Sequence, residues 1–509
     1  MRNFAFVLVL SIAIGLGLTS SSSAVGPGGW DRLGTGATAT TPALNNSVTA
    51  LNTDIPGQLL VGGKFTDAGG VAAADRIASW NGSAWSAIGP STFTGDVMAV
   101  EAAGGLIFAG GAFTNAGGNP NADFLAAWDG VSWKPFCTPA VPGPSINGNV
   151  TSLQAIGGTL YVGGEFLNGA GNSLADFLLA CNVATEAASD TVATQAFTGP
   201  VYALTADSNG LLYAAGNFAD LDSNIASDRV ASYDGVNWSN LGAGPGGAGL
   251  IQGIPRSIAA NGTDVYLGSD GNDLAGIPQA DHIARWDGAA WHAVGANAAG
   301  TDGYLPSSAS VYAMTTFGSQ LYATGNWLNA GGDPTADNIA NFDGTSWKPV
   351  GSSGAGNGPL PASGGALAIF GGILHAGGNF TSAGGDPLAS FVAKYTPPFV
   401  LPSNLISIGP KPKFDKKKGT ATLFVTVPGP GELVYIGKGI RRGAARAAPR
   451  AARSVTEAGT VKLTIKPDGK TKKKLKKKGK AKVTVKVTFT PTGGIPNTET
   501  KKLKLIKKK

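Results

Sequence analysis

The sequence predicts an all-β protein, with a seven-bladed β-propeller closed by an N-terminal strand and a small C-terminal β-sandwich. Three observations carry this prediction: one segment recurs seven times, each copy alternates apolar and polar residues, and the balance of charge reverses near residue 399. The predicted parts are a signal peptide over residues 1–24, the propeller over residues 26–399 and a Lys-rich module over residues 400–509.

The repeated segment is clearest at Leu321, where it reads LYATGNWLNAGGDPTADNIANFDGTSWKPVG. The copies begin at Leu59, Leu106, Leu160, Leu212, Val265, Leu321 and Leu374, so successive starts are 47, 54, 52, 53, 56 and 53 residues apart. Alternation with period two, bounded by Gly, Asn and Asp, is typical of strands. Asp343–Gly344 predicts a hairpin, because its glycine supplies the positive φ that such a turn needs. Each copy is therefore predicted to be one four-stranded antiparallel blade.

The two ends of the array predict closure into a ring. The seventh copy stops near Phe399 without its Trp-containing strand, and GGWDRLG at residues 28–34 supplies that missing piece. A strand from the N-terminus would complete the last blade and leave no open sheet edge. A linear solenoid would have no reason to divide one repeat between its ends.

The repeat resembles the kelch repeat, in which a glycine doublet ends the second strand and aromatic residues pack between blades. The matching doublets are Gly62–Gly63, Gly110–Gly111, Gly163–Gly164 and Gly377–Gly378, and the matching aromatics are Trp80, Trp128, Tyr233, Trp286 and Phe342, then Trp85, Trp133, Trp238, Trp291 and Trp347. The GGxFTxAGG segment is also similar to repeats in secreted bacterial proteins and in a fungal cortical polarity marker. The third blade departs most, with Asn182–Val183 in place of Asp-Gly. The resemblance implies a fold and not a function, since kelch-like folds serve both as enzymes and as interaction platforms.

The first 24 residues have the pattern of a secretory signal. Arg2 provides the charged start, residues 4–18 the apolar segment, and residues 22–24 a small-residue cleavage site. The alternative, a retained membrane helix, needs about 20 apolar residues. We therefore expect an extracellular or cell-surface protein with no transmembrane segment in the mature chain.

Residues 400–509 contain 24 Lys, 5 Arg and 5 acidic residues, a net charge of +24, which leaves −17 for the rest of the +7 chain. Alternating segments predict an immunoglobulin-like β-sandwich, with a loop at residues 439–453. The module also resembles Lys-rich C-terminal modules of surface proteins from high-GC Gram-positive bacteria. Such charge attracts polyanions, so the expected partners are anionic cell-wall polymers or surface glycans, with a protein partner left open. The residues predicted to carry these contacts are Lys472, Lys473, Lys474, Lys476, Lys477 and Lys478.

Two alternatives stand beside this interpretation of the lysines. They could form a solubilising surface or a dock for the acidic propeller. Sequence-specific nucleic-acid binding is not expected, because the module offers few aromatic residues for stacking on bases.

The remaining chemistry-bearing residues suggest structural roles. Cys137 and Cys181 fall in adjacent repeats, and spacing alone leaves open a disulfide or two buried thiols. An aspartate occurs at one place in six repeats, either as a loop acceptor or as a ring of carboxylates for a cation; these are Asp75, Asp123, Asp176, Asp228, Asp281 and Asp337. The sequence shows no catalytic constellation, and we expect neither a cofactor nor a metal.

These observations favour a secreted, surface-associated binding or adhesion protein. The alternatives are a secreted carbohydrate-active enzyme with its site in the propeller mouth, and a structural surface component. Polar residues that occur once and gather at the channel mouth would favour an enzyme, whereas a flat mouth lined by small loop residues would favour binding or scaffolding.

Overall fold

The computed structural model describes residues 29–90, 93–138, 146–189, 197–219, 221, 228–242, 249–397, 406–429, 431–440, 452–455, 459–491 and 497–508. The chain divides into two compact units, Met1–Pro398 and Phe399–Lys509, called here the N-terminal and C-terminal units. Regular structure in the described ranges consists of strands, short 3₁₀ turns and one α-helix, so the all-β prediction is confirmed. The predicted signal peptide lies outside these ranges. Within them, no helix has the length and apolar character needed to cross a bilayer.

The described part of the N-terminal unit forms seven four-stranded antiparallel sheets, numbered here in chain order from sheet 1, and β1 (Gly29–Arg32) belongs to the last of them. The first strands of the sheets are β2 (Val48–Asn52), β6 (Val97–Ala103), β10 (Val150–Ile156), β14 (Val201–Ala206), β18 (Pro255–Asn261), β22 (Ser310–Phe317) and β26 (Gly364–Phe370). The second strands are β3 (Leu59–Gly63), β7 (Leu106–Gly111), β11 (Thr159–Gly164), β15 (Leu212–Gly216), β19 (Asp264–Ser269), β23 (Gln320–Asn326) and β27 (Ile373–Gly378).

In each sheet the third and fourth strands are together shorter than the first and second strands. The third strands are β4 (Ile77–Trp80), β8 (Leu125–Trp128), β12 (Leu178–Asn182), β16 (Val230–Tyr233), β20 (Ile283–Trp286), β24 (Ile339–Phe342) and β28 (Val392–Thr396). The fourth strands are β5 (Trp85–Ala87), β9 (Trp133–Pro135), β13 (Ala188–Ser189), β17 (Trp238–Asn240), β21 (Trp291–Ala293) and β25 (Trp347–Pro349). Short 3₁₀ turns follow the second strand at Ala68–Gly70, Ala116–Gly118, Gly169–Gly171, Leu274–Gly276 and Ala330–Gly332. In sheet 7 the fourth position is taken by β1, which pairs antiparallel with β28 and sets Trp30 opposite Tyr395.

The first strands contact one another in cyclic order, and β26 contacts β2. They surround a space of about 240 Å³, the axial cavity, which is lined by residues from all seven first strands. This arrangement is propeller-like: each sheet packs against two neighbours, with its first strand toward the common centre.

Glycine doublets at the ends of second strands allow the sheets to pack closely. A Cβ atom on Gly62 would lie 2.8 Å from the Val97 side chain of the next sheet, and one on Gly377 would lie 2.3 Å from Val48. Since real Cβ atoms do not approach so closely, any larger residue at these positions would separate neighbouring sheets. The contact of Gly377 with Val48 joins the last sheet to the first.

Tryptophans of the fourth strands join five of the seven sheets to the preceding one. Trp85 Nε1 donates to the Leu33 carbonyl oxygen at 2.7 Å, and Trp30 Nε1 donates to that of Val350 at 2.7 Å. Equivalent bonds run from Trp133 to Ile88, from Trp291 to Leu241 and from Trp347 to Val294. Trp238 occupies the corresponding position in sheet 4. Each of these buried carbonyl oxygens follows the fourth strand of the preceding sheet, so the indole satisfies a polar group that water does not reach.

We predict that Trp85→Phe lowers the free energy of unfolding by about 1–3 kcal/mol, because the Leu33 carbonyl oxygen stays buried without a donor. Urea unfolding followed by circular dichroism measures the change. Trp80→Phe is the matched control, since it removes an indole from the same aromatic pair, whose ring centroids are 5.4 Å apart. Equal destabilisation by both substitutions would contradict the proposed role of the indole hydrogen bond.

The C-terminal unit contains two four-stranded antiparallel sheets in its described ranges. One comprises β29 (Ser407–Ile408), β30 (Lys413–Asp415), β31 (Thr420–Val427) and β34 (Gly459–Ile465), and the other comprises β32 (Gly431–Ile436), β33 (Ala452–Val455), β35 (Lys480–Pro491) and β36 (Asn497–Ile506). Leu423, Leu463 and Val485 belong to a hydrophobic cluster to which both sheets contribute. On β34, β35 and β36, lysines alternate with buried residues, as period-two patterning requires.

Two features of the C-terminal unit differ from the predictions. The predicted loop at residues 439–453 is wrong at its end, because Ala452 and Arg453 begin β33 and pair with β32; residues 441–451 lie outside the described ranges. The sequence patterns assigned no element to Gly469–Lys478, which forms the helix α1. The apolar stripe that usually predicts a helix is missing from this segment, since Leu475 is its only buried residue.

Candidate functional site

The six lysines predicted to bind anions all lie on α1. Lysine is a good helix former, and the helix ends at Gly479, whose φ of 66° is left-handed and whose N–H donates to the Leu475 carbonyl oxygen. Leu475 is 2 % exposed and packs in the core of the C-terminal unit, so a single apolar side chain anchors the helix. Within the described ranges, none of the six lysines has a carboxylate within ion-pair distance.

One face of α1 borders a cleft of about 250 Å³, called here the helix cleft. Of the predicted lysines, Lys472 and Lys476 line it, one helical turn apart on either side of Leu475. Three further lysines, Lys418, Lys466 and Lys507, reach the same cleft from strand ends and the C-terminal segment. Lys418 lies 3.8 Å from Asp415, and no carboxylate is among the residues that line the cleft.

A second space of about 620 Å³, the strand cleft, lies beside Thr471. It is lined by Lys438, Lys482, Lys502 and Lys504. Lys482 and Lys504 are direct cross-strand partners on β35 and β36. Like charges directly opposite each other destabilise a sheet, so a bound anion between these strands would relieve repulsion.

The lysines of the N-terminal unit are placed differently. All four form ion pairs: Lys64 with Asp96, Lys134 with Glu186, Lys348 with Asp343 and Lys394 with Asp31. The lysines of the N-terminal unit therefore neutralise carboxylates of the same unit. The helix cleft instead presents a concentration of cations to solvent.

The sequence predicted six lysines of α1 as anion contacts but did not predict the other residues that line the two clefts. Lys418, Lys466 and Lys507 are far apart in the chain. The pairing of β31 with β34 brings the first two together, and a bond from the Lys508 N–H to the Lys416 carbonyl oxygen holds the segment of Lys507 beside them. The prediction depended on the overall density of lysine in residues 400–509, and this density does not show which lysines lie close together in the fold. Four of the predicted residues, Lys473, Lys474, Lys477 and Lys478, line neither cleft.

The two cysteines form a disulfide between sheets 2 and 3, with Cα atoms 5.5 Å apart. Cys137 follows β9 with a φ of 61°. In five other sheets this position is a glycine with positive φ: Gly34, Gly89, Gly242, Gly295 and Gly351. A Cβ on Gly89 would lie 2.3 Å from the Trp128 ring of the next sheet, and Cys181 stands where that aromatic residue would be in sheet 3. The disulfide therefore replaces a glycine–aromatic contact between neighbouring sheets.

We predict that removing the disulfide with Cys137→Ala and Cys181→Ala costs about 4 kcal/mol, from the chain entropy of a 44-residue separation. Differential scanning calorimetry of oxidised wild type, reduced wild type and variant measures the loss.

The matched variant combines Cys137→Gly with Cys181→Ala. It should lose about 1 kcal/mol less than the double alanine variant, because glycine adopts a positive φ without strain. A glycine variant less stable than the alanine variant would contradict the left-handed geometry at residue 137.

The aspartates shared by six repeats bond to their own loops. In five of the six the Oδ1 atom accepts a backbone N–H from the residue eight positions earlier, at 2.6–2.9 Å; these are Asp75, Asp123, Asp176, Asp281 and Asp337. The donating residue is left-handed each time, with φ between 50° and 55°. Each carboxylate thus stabilises the turn that begins a 3₁₀ segment. Asp228 occupies the same position in sheet 4. Within the described ranges, no three His, Cys, Asp or Glu side chains converge as metal ligands do.

Glu101 is a buried carboxyl group that joins three sheets. From β6, its Oε1 accepts the Ala155 N–H at 2.9 Å and its Oε2 accepts an N–H of Asn52 at 3.1 Å. Asn52 also donates to Asp54 at 2.6 Å. Burial first, and then the negative charge of Asp54, raises the pKa of Glu101 to about 8. The group is therefore neutral in the folded protein at neutral pH.

We predict that Glu101 makes stability fall as the pH rises. The folded state keeps this proton up to a pH of about 8, whereas the unfolded chain releases it near 4.5, the ordinary pKa of a glutamate side chain. Because the native state binds more protons between these values, this contribution to stability is present below the lower value and lost toward the higher one.

Glu101→Gln should reduce the change in unfolding free energy between about pH 5 and pH 8 in urea titrations. Glu165→Gln, at an exposed position, is the control and should behave as wild type. An unchanged pH dependence in Glu101→Gln would show that the carboxyl group is ionised in the folded state.

The first strands share an irregularity that shapes the axial cavity. Each has a register shift near its start, after the second residue in β22 and after the first residue in the other six; the shifts follow Val48, Val97, Val150, Val201, Pro255, Val311 and Gly364. The residues at the shift are Thr49, Met98, Thr151, Tyr202, Arg256, Tyr312 and Gly365, and all except the glycine line the cavity. Bulges re-aim a side chain out of the regular pleat. This position differs among the copies while its neighbours are similar, and the repeat pattern of the sequence predicted no role for it.

The three histidines do not form a site. His282 and His375 are buried in different sheets, and burial lowers the pKa of both, that of His375 to about 4. His292 pairs with Asp287 at 2.6 Å, beside the turn between the third and fourth strands of sheet 5.

No protein-family model and no curated protein matches this chain. Among solved structures, the chain is similar to the extracellular domains of two hybrid two-component systems from B. thetaiotaomicron. For the first, sequence identity is 10 %, the TM-score is 0.42, and the match covers 92 % of this chain and 58 % of the other. For the second, the identity is 8 %, the TM-score 0.38 and the coverage 91 % and 57 %. The chain thus spans less than two thirds of each of these relatives.

Proposed function

We propose that this chain is a secreted, surface-associated binding protein, whose C-terminal unit attaches to anionic envelope polymers through the helix cleft. The N-terminal unit in this proposal is a seven-bladed, kelch-like propeller closed by β1, and the C-terminal unit is an immunoglobulin-like β-sandwich. The observation that carries the proposal is the convergence of five lysines on one cleft without a carboxylate in its lining.

The kind of cation determines the kind of ligand. Lysine ammonium groups act as compact point charges with rotatable donors, whereas arginine presents a planar fork that suits one fixed carboxylate or phosphate. A cleft built from lysines therefore suits a flexible polymer with repeated phosphate charges, bound with little geometric selection. Teichoic acids of Gram-positive walls have this chemistry.

For the N-terminal unit we propose binding rather than catalysis. Its axial cavity is lined by aromatic, aliphatic, hydroxyl and guanidinium groups, and none of the lining residues is a carboxylic acid. General acid–base chemistry on a glycosidic bond uses a pair of carboxyl groups that flank it. The unique side chains of the cavity match recognition better than hydrolysis.

We predict that Lys472→Gln combined with Lys476→Gln weakens binding of the full chain to immobilised, purified teichoic acid. The slope of log affinity against log salt concentration should decrease by roughly one to two, because each lost phosphate contact releases about one counterion fewer. Surface plasmon resonance over a salt series measures both quantities.

The control replaces the same two lysines with arginine, which keeps the charge and should keep most of the affinity. If wild-type binding to teichoic acid is absent, or does not change with salt concentration, the proposed attachment is wrong. If glutamine and arginine variants bind equally, the contacts lie elsewhere in the C-terminal unit.

A further inference from the structure

We propose that the axial cavity of the N-terminal unit is a binding site for a neutral saccharide, with Tyr202, Arg256 and Tyr312 as its main contacts. This inference rests on the proposed binding function of the N-terminal unit and names the class of ligand. It is independent of the lysines of the C-terminal unit.

The three residues lie on neighbouring strands. They occupy the bulge position of β14, β18 and β22, which contact one another in sequence around the cavity. The next strand carries Gly365 at this position, which leaves space beside Tyr312. The ring of bulge residues is therefore asymmetric, with its large side chains gathered on one wall. A structural requirement of the repeat would instead place the same residue in every copy.

Arg256 lines the cavity and has Asp270, which is not among the lining residues, as its ionic partner. Asp270 accepts the Ile254 N–H at 2.6 Å through Oδ1, while its Oδ2 lies 3.6 Å from an amino nitrogen of Arg256. At that distance the guanidinium is attracted but not hydrogen-bonded, so its five N–H donors are uncommitted to described residues. The pair is also neutral overall. A vicinal diol, whose hydroxyl oxygens accept hydrogen bonds from a guanidinium, fits this charge-balanced arginine better than a carboxylate or an ammonium group does.

The tyrosines provide the apolar surface that a sugar ring needs. The Arg256 guanidinium carbon lies 6.0 Å from the Tyr202 ring centroid, so the cation sits over this ring and limits its movement. Tyr312 is 36 % exposed, so part of this side chain is open to a ligand. Aromatic rings with a polar tip bury the C–H face of a sugar and leave its hydroxyl groups to nearby polar partners.

The threonines of the ring act as acceptors. Thr49 and Thr151 donate their hydroxyl protons to the carbonyl oxygens of Val97 and Val201, at 2.6 and 2.8 Å. Their oxygen lone pairs remain for donors from a ligand. The cavity volume of about 240 Å³ suits the end of an oligosaccharide chain.

The test is isothermal titration of the full chain with maltotriose, cellotriose, chitotriose and trigalacturonic acid. We expect at least one of the three neutral trisaccharides to bind, and Tyr312→Ala and Arg256→Lys each to weaken that binding about tenfold. Phe317→Ala is the matched control, because Phe317 is an exposed aromatic residue near the other end of β22 and outside the axial cavity. It should bind as wild type does. Circular dichroism and thermal unfolding establish that each variant is folded.

Three outcomes would overturn the proposal: no neutral trisaccharide binds at about 10 mM, trigalacturonic acid is the only sugar that binds, or Tyr312→Ala binds as wild type does. The result is separable from the proposed attachment to teichoic acid. Tyr312→Ala should keep teichoic acid binding, and the glutamine variant of Lys472 and Lys476 should keep saccharide binding.

Discussion

The N-terminal unit depends on close contact between neighbouring sheets. A four-stranded sheet of this size cannot bury both of its faces alone, so each must pack against two others. Glycine makes this contact possible where Gly62 receives Val97 and where Gly377 receives Val48. The indole hydrogen bonds then satisfy the carbonyl oxygens that close packing removes from water. Because the last sheet meets the first through the same kind of contact, the described array of seven sheets has no terminal sheet.

The disulfide shows how one position in this packing can be filled in different ways. Five sheets place a glycine with positive φ after the fourth strand, against an aromatic residue of the following sheet. At the boundary of sheets 2 and 3, Cys137 and Cys181 replace both members of that contact. The covalent bond thus supplies, at one boundary, the connection that ring packing supplies elsewhere. It also explains why a cysteine tolerates the left-handed backbone at residue 137.

The repeat made the all-β fold and the strand order predictable from sequence, because a pattern written seven times averages out local ambiguity. The substitution of Cys181 for an aromatic residue was visible in the same alignment of copies, and that of Cys137 for glycine was present as well. Together, these two substitutions contained enough information to favour a disulfide between Cys137 and Cys181. Other features carried no such signal. The helix α1 has one buried leucine among lysines, and the helix cleft gathers residues as distant in the chain as Lys418 and Lys507, which adjoin strands of different sheets.

The repeat also explains why function was hard to read from sequence. Positions that recur in most copies, such as those of Trp85 and Asp75, serve the packing of sheets or the shape of loops. Information about a ligand can lie only where the copies differ although the backbone is the same. The bulge position of the first strands meets this condition, because six of the seven copies place it in the lining of the cavity and the seven copies carry five different residue types there. Tyr202, Arg256 and Tyr312 are thus free of the constraints that fix their neighbours, and their chemistry is available for recognition.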